Sequence, residues 1–228
     1  MITSIRVDEA VTRLRPDFAV LAVAAYGLTG GPSDERSRRW LSEAAAAAVP
    51  PGDEKITAWH DAYRAFGAKP QRTRPSVDAL IRRTPPPEIN LVVDAYTAVS
   101  IRRALPIGGE DLAHYAGPAR LVRAGGDEPF DVVDRGEAVV DHPEIGEVVW
   151  RDDLGVTCRR WNWRQCVRTR ITEETTDALF LLERLAPLSL AELAAAGEEL
   201  AALLREITPT VRIETRLVGA GSAQESPS

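Results

Sequence analysis

Between Ala119 and Ile171 the chain is cut into short apolar runs by glycines, and this texture constrains the fold more than any other feature. The runs are Arg120–Ala124, Phe130–Val133, Ala138–Val140, Glu147–Trp150, Val156–Trp163 and Val167–Ile171, with Gly125, Gly126, Gly136, Gly146 and Gly155 between them. None is long enough to make a packed helix, and glycine supplies the turns, so the segment predicts antiparallel strands.

Helical signals flank this region. Ser33 can cap a helix to about Ala48, with Asp34 and Glu35 in its first turn and Pro50-Pro51 as the stop. Asp53 to Phe66 places Ile56, Trp59, Tyr63 and Phe66 at three- and four-residue spacing, and Gly67 ends it. Shorter or plainer helices are predicted from Pro75-Ser76 to Arg83, from Ile89 to Arg103 and from Thr172 to Ala186. Ser189-Leu190-Ala191-Glu192 reads as a capping box opening a helix to about Glu206. Ile2–Val7, Phe18–Ala25 and Thr208–Val218 read as strands. The expected fold is α+β: one domain over residues 1–218, with a central antiparallel β region, helices packed outside it, and a disordered tail at residues 219–228.

The longest apolar run, Phe18 to Tyr26, is about half a membrane span, so no membrane association is expected. The N-terminus has no signal-peptide pattern, and the two cysteines, Cys158 and Cys166, suit a reducing cytoplasm. His60, His114 and His142 are isolated, and no zinc, phosphate-loop, dinucleotide or serine-hydrolase motif occurs. Neither metal nor cofactor is expected.

The net charge of −6 argues against wholesale wrapping of nucleic acid, yet charge is uneven. Arg64, Lys69, Arg72, Arg74, Arg82 and Arg83 face only Asp78 in their segment. Arg159, Arg160, Arg164, Arg168 and Arg170 face no acid in theirs. The acid-rich stretch from Asp127 to Asp153 lies between. Either the basic segments grip a phosphate backbone, or acidic and basic segments pair with each other. If Arg159–Arg170 is extended, Arg160, Asn162, Arg164, Cys166, Arg168 and Arg170 share one face, and Trp161, Trp163, Gln165 and Val167 the other. The tryptophans can stack a base, or they belong to the core. Gly108-Gly109 followed by Glu110-Asp111 reads as a turn that lets a ligand approach the backbone, with acids able to orient water.

Several ordered motifs carry a family resemblance. They are Asn90-Leu91-Val92-Val93-Asp94-Ala95-Tyr96-Thr97, then Leu105-Pro106 and Asp111, and Ile171-Thr172-Glu173-Glu174-Thr175. To these add Phe66-Gly67-Ala68-Lys69-Pro70, Arg74-Pro75-Ser76, Pro106-Ile107-Gly108-Gly109-Glu110-Asp111 and Cys158-Arg159-Arg160-Trp161-Asn162-Trp163-Arg164. From about Asp53 to Ala186 the chain resembles the B3/B4 domain of the phenylalanyl-tRNA synthetase β subunit, and more specifically the free-standing B3/B4 proteins. The resemblance implies an α+β domain associated with tRNA or aminoacyl-tRNA. In the synthetase this domain hydrolyses a wrongly attached amino acid, the logic of a second sieve. The family's histidine and asparagine fall here on Gly108 and Thr97, and its acid falls near Leu181, so its editing residues do not transfer.

Three readings follow. The first is a tRNA-binding module, with Arg72, Arg74, Arg160, Trp161, Asn162, Trp163, Arg164 and Arg168 on the RNA side. The second is an editing hydrolase without metal, using Glu110 and Asp111. The third is a binder of a free amino acid or similar ligand. In all three Asp94, Thr97, Gly108 and Gly109 form the pocket, and the diglycine and the paired indoles converge on one hollow.

Overall fold

The computed structural model describes residues 2–220. In chain order the elements are β1 (Arg6–Val7), α1 (Glu9–Leu14), β2 (Ala19–Tyr26), α2 (Glu35–Ala46), α3 (Glu54–Ala65), α4 (Ser76–Ile81), α5 (Leu91–Arg103) and β3 (Ile107–Asp111). There follow β4 (Arg120–Arg123), β5 (Phe130–Asp134), β6 (Glu137–Asp141), β7 (Val148–Arg151), β8 (Val156–Arg159), β9 (Arg164–Gln165), β10 (Asp177–Arg184), α6 (Leu190–Ile207) and β11 (Arg212–Gly219). The fold is α+β.

The long apolar runs pair first. β2 and β10 lie side by side, with β11 and β3 at the edges, in an antiparallel sheet of order β11-β2-β10-β3. Side chains alternate across it. Val23, Ala25, Phe180 and Leu182 enter one core with α2, α5 and α6. Val20, Ala22, Leu179 and Leu181 enter another, with Trp59 and Tyr63 of α3 and with Leu121, Val148 and Trp150 of the second sheet. That sheet has the order β1-β4-β7-β8-β9, antiparallel except for the β1–β4 pair. β5 and β6 form a separate hairpin.

Capping explains the helix starts. Asn90 Oδ1 accepts from Val93 N, Asp53 from Lys55 N, and Ser189 and Glu192 form the expected reciprocal box. The cap of α2 is Asp34, one residue later than expected. Ser33 instead donates to Asp94 Oδ2 at 2.5 Å.

Several expectations are corrected. Thr172–Ala186 is not a helix: Thr172–Thr176 is a turn and Asp177–Arg184 is β10. Leucine, alanine and glutamate favour a helix locally, but Ala178 to Leu182 are all buried because β10 is covered on both faces. Each such leucine or phenylalanine contributes roughly 1.5–3 kcal/mol of burial, which overrides propensity. Ile107–Asp111 is an edge strand, not a turn. Arg159–Arg170 is not continuously extended: Arg160 and Trp161 take left-handed backbone, with φ of 46° and 68°, and the chain reverses before β9. Val167–Ile171 holds only a bridge from Arg170 to Glu110. Within Ile2–Val7 only Arg6 and Val7 are strand, after a tight turn at Ile2–Ser4. Gly219 closes β11 and Ala220 donates to the Phe18 carbonyl at 2.8 Å, so the expected tail does not begin at 219. Residues 221–228 lie outside the described residues. Among the described residues no helix is long and apolar enough to cross a membrane.

Candidate functional site

The two sheets do not close completely on each other. A cavity of about 310 Å³ remains between them. Gly108 and Glu110 of β3 and Leu181 and Glu183 of β10 form one wall. Trp150, Cys158, Trp161, Asn162 and Trp163 form the opposite wall, with Arg164 and Gln165 beside them. Tyr96 and Thr97 of α5 and Ala79, Leu80 and Arg83 around α4 complete it. The diglycine strand and both indoles thus meet at one hollow.

The glycines differ in purpose. A Cβ on Gly109 would lie 2.8 Å from Ile171 Cδ1 and 2.9 Å from Tyr96 Cε1, so that position is packed shut. A Cβ on Gly108 would meet nothing within 4 Å. The hollow is open in part because residue 108 has no side chain.

Two buried acids line the cavity. Glu110 Oε2 accepts from Gln165 Nε2 at 2.7 Å and from the Thr169 hydroxyl. Burial nevertheless pushes its carboxyl up to about 8. Glu183 accepts from Trp150 Nε1 at 2.6 Å and from Asn162 Nδ2 at 2.7 Å, and Tyr63 Oη donates to Asn162 Oδ1 at 2.9 Å. Burial pushes Glu183 up to about 8 as well. Neither acid joins an ion pair with a described residue. Trp161 is fully buried, and its Nε1 has no hydrogen-bond partner among the described residues. Burial, with Glu110 and Glu183 nearby, holds the Cys158 thiol far above the thiolate range; burial raises Cys166 to about 11. Neither sulfur is set up as a nucleophile.

The remaining expected residues are scattered. Asp94 does not line the cavity. It accepts from Ile89 N at 2.9 Å and from Ser33, tying α5 to the preceding loops. Asp111 points to the helix side of β3, where Thr175 Oγ1 donates to it at 2.7 Å and Ala113 N at 2.9 Å. Gly109 contributes only a carbonyl, which accepts from Gln165.

Among the basic residues, Arg168 is committed to the core. Its guanidinium spans both oxygens of the fully buried Asp152, at 2.7 and 3.0 Å. Arg159 likewise grips Glu147 at 2.9 and 2.8 Å. The acidic and basic segments therefore pair with each other at these two positions. Arg74 Nε lies 3.6 Å from Asp78, which Arg82 holds more closely at 2.7 Å. Arg160 stacks on Trp163 at 4.4 Å, and with Arg72 and Lys69 it lines a separate polar recess of about 520 Å³. Trp161 packs edge-on against Phe18 and Trp59 at 5.1 and 5.5 Å, so it presents no open face for stacking a base. Arg83 and Arg164 are exposed at the cavity and make no ion pair among the described residues.

Glu183, Gln165, Trp150 and Tyr96 belong to the site and were not singled out from the sequence. The available signal for Glu183 was a lone acid within the apolar run from Ala178 to Leu185.

The family model described as B3/4 domain matches residues 58–208, more than half of the chain. Among solved structures, an N-terminal fragment of the phenylalanyl-tRNA synthetase β subunit from Pyrococcus horikoshii is similar to it, with a TM-score of 0.48 at 17% identity. The match covers 92% of this chain and 50% of that one, so the chain spans half the length of that structure. No curated protein sequence matches the chain.

Proposed function

Because the chain belongs to the B3/4 domain family, we propose that its cavity receives the aminoacyl group on the 3′ end of a tRNA. One observation carries the reading: a cavity walled by indoles and aliphatic side chains is lined by two buried acids, and two arginines that make no ion pair among the described residues stand beside it. The acids supply partners for an amino group. Arg83 and Arg164 supply charge for the terminal phosphates. Of the RNA-side residues read from the sequence, Arg168 is spent on an internal acid, as is Arg159 of the same basic segment.

Filter binding with charged and uncharged tRNA tests this. Charged tRNA should bind more tightly, and its affinity should weaken as salt rises. Arg83→Glu together with Arg164→Glu should lower the affinity about tenfold or more, and flatten the slope of log K against log salt by roughly 1.5. Gly108→Val, which fills the hollow, should erase the difference between charged and uncharged tRNA. Equal binding of both forms by the native protein would remove the aminoacyl pocket from the reading.

A second reading is hydrolysis of the ester, favoured by the position of Glu110. A carboxyl that burial raises to about 8 suits general acid–base work. As carboxylate it would take a proton from water. The water oxygen would add to the ester carbonyl, the bond to the ribose oxygen would break, and the proton would pass to that oxygen. Release of label from a panel of charged tRNAs, lost on Glu110→Gln, is the expected result.

A further inference from the structure

We infer that the ligand of this cavity is a basic amino acid carried as its ester, with a cationic nitrogen at each end. The inference deepens the proposed aminoacyl reading and rests on it. Glu110 and Glu183 are each only 2% exposed, and both line the same hollow. Their hydrogen-bond partners among the described residues are neutral: Thr169 and Gln165 for one, Trp150 and Asn162 for the other. A buried acid in such surroundings stays protonated or takes a cation as partner. The titratable groups facing Glu110 are Asp152, Tyr96, Tyr115, Cys158 and Cys166; those facing Glu183 are Tyr63 and Cys158. None of these is a cation, and Arg83 and Arg164, exposed at the same cavity, bond neither acid among the described residues, so a cationic ligand is the partner these acids would take when ionised.

The two acids are not a proton-sharing pair. Glu110 lies opposite Leu179 and Gly108 opposite Leu181, and the Glu183 amide bonds to the Pro106 carbonyl at 3.0 Å. Glu110 and Glu183 therefore share a face but stand four residues apart along the strands, roughly 13 Å at the backbone. Gly108, Leu181 and Cys158 lie on the walls with them, small or apolar and suited to a methylene chain. A ligand with a single ammonium matches one acid and leaves the other unmatched. An α-ammonium and a side-chain ammonium match both.

Titration calorimetry on the full chain tests the inference with the methyl esters of lysine, ornithine, leucine and phenylalanine. Lysine or ornithine methyl ester should bind about tenfold or more tightly than leucine methyl ester. Glu110→Gln and Glu183→Gln should each bring that ratio close to one. Gly108→Val should abolish binding of the basic esters, which separates the hollow from surface acids without depending on the glutamine variants to fold. Leucine or phenylalanine ester binding as tightly as lysine ester overturns the inference, as does a lysine preference that survives Gly108→Val. The tRNA assay is read separately. Basic esters that bind while no tRNA does would sink the RNA reading alone. Charged tRNA that binds without preference for a basic aminoacyl group would sink this inference alone.

Discussion

Melting temperature should fall steadily as pH is raised from about 5 to about 8.5, the opposite of a protein whose acids are all salt-bridged. Glu110 and Glu183 carry ordinary carboxyls in the unfolded chain, near 4.5, and are raised to about 8 in the folded one by burial. Between those values the folded state binds more protons than the unfolded state, so stability decreases with pH. It is fully present below the unfolded value and is lost as pH rises through the folded one. Each group sets a slope of about 1.4 kcal/mol per pH unit within that window, so the combined loss reaches several kcal/mol. A second limb bounds the curve from below. Lys55 and the Ser189 cap hold Glu192 down at about 2. Asp152 is also depressed: burial raises it, but Arg168 and backbone amides outweigh burial. Those contributions disappear in strong acid, so the maximum lies near pH 5. Glu110→Gln and Glu183→Gln should each remove about half of the downward slope. A flat curve across neutral pH would show that the two acids are solvated. Saturation with a doubly charged ester should also flatten the curve, because the ionised form then has its partner.

Asp152→Ala should cost about 3–5 kcal/mol, enough to unfold a marginal domain. Asp152 is completely buried and accepts from three backbone amides, Ala116 at 2.9 Å, Leu154 at 2.9 Å and Gly155 at 3.0 Å, besides the two contacts from Arg168. Removing the carboxylate leaves those amides and the guanidinium without an acceptor. Asp152→Asn keeps the shape and loses the charge, so its denaturation midpoint should fall between those of Ala and the native chain. Arg168→Ala should destabilise by a similar amount and leave the salt slope of tRNA binding unchanged. A large change in that slope with native stability would return Arg168 to the RNA side.

Much of the fold was legible because its signals are local. The Ile56–Trp59–Tyr63–Phe66 spacing from Asp53 to the Gly67 stop fixes α3, and the Ser189–Glu192 box fixes α6 within one residue. β2 was readable as a short apolar run. β10 was not, because its residues favour a helix and only its partners β2 and β3 make it a strand. The reversal at Arg160 and Trp161 was hidden for a related reason. Neither residue advertises left-handed backbone, so alternation across Arg159–Arg170 assigned faces that do not exist. The site was half legible. Gly108, Glu110, Thr97 and the indoles came from motifs, while Glu183 enters from a strand that had been read as a helix. Asp94 and Asp111 carried the family spacing, yet their carboxylates serve hydrogen bonds that brace α5 and β3.

Because β10 runs between two cores, consecutive residues belong to different neighbourhoods: Phe180 and Leu182 to the helix layer, Leu181 and Glu183 to the hollow. Position 108 opens on the hollow alone. The chain can therefore be refitted to a new cargo by exchanging alternate letters of two strands, while the scaffold behind them keeps its own grammar.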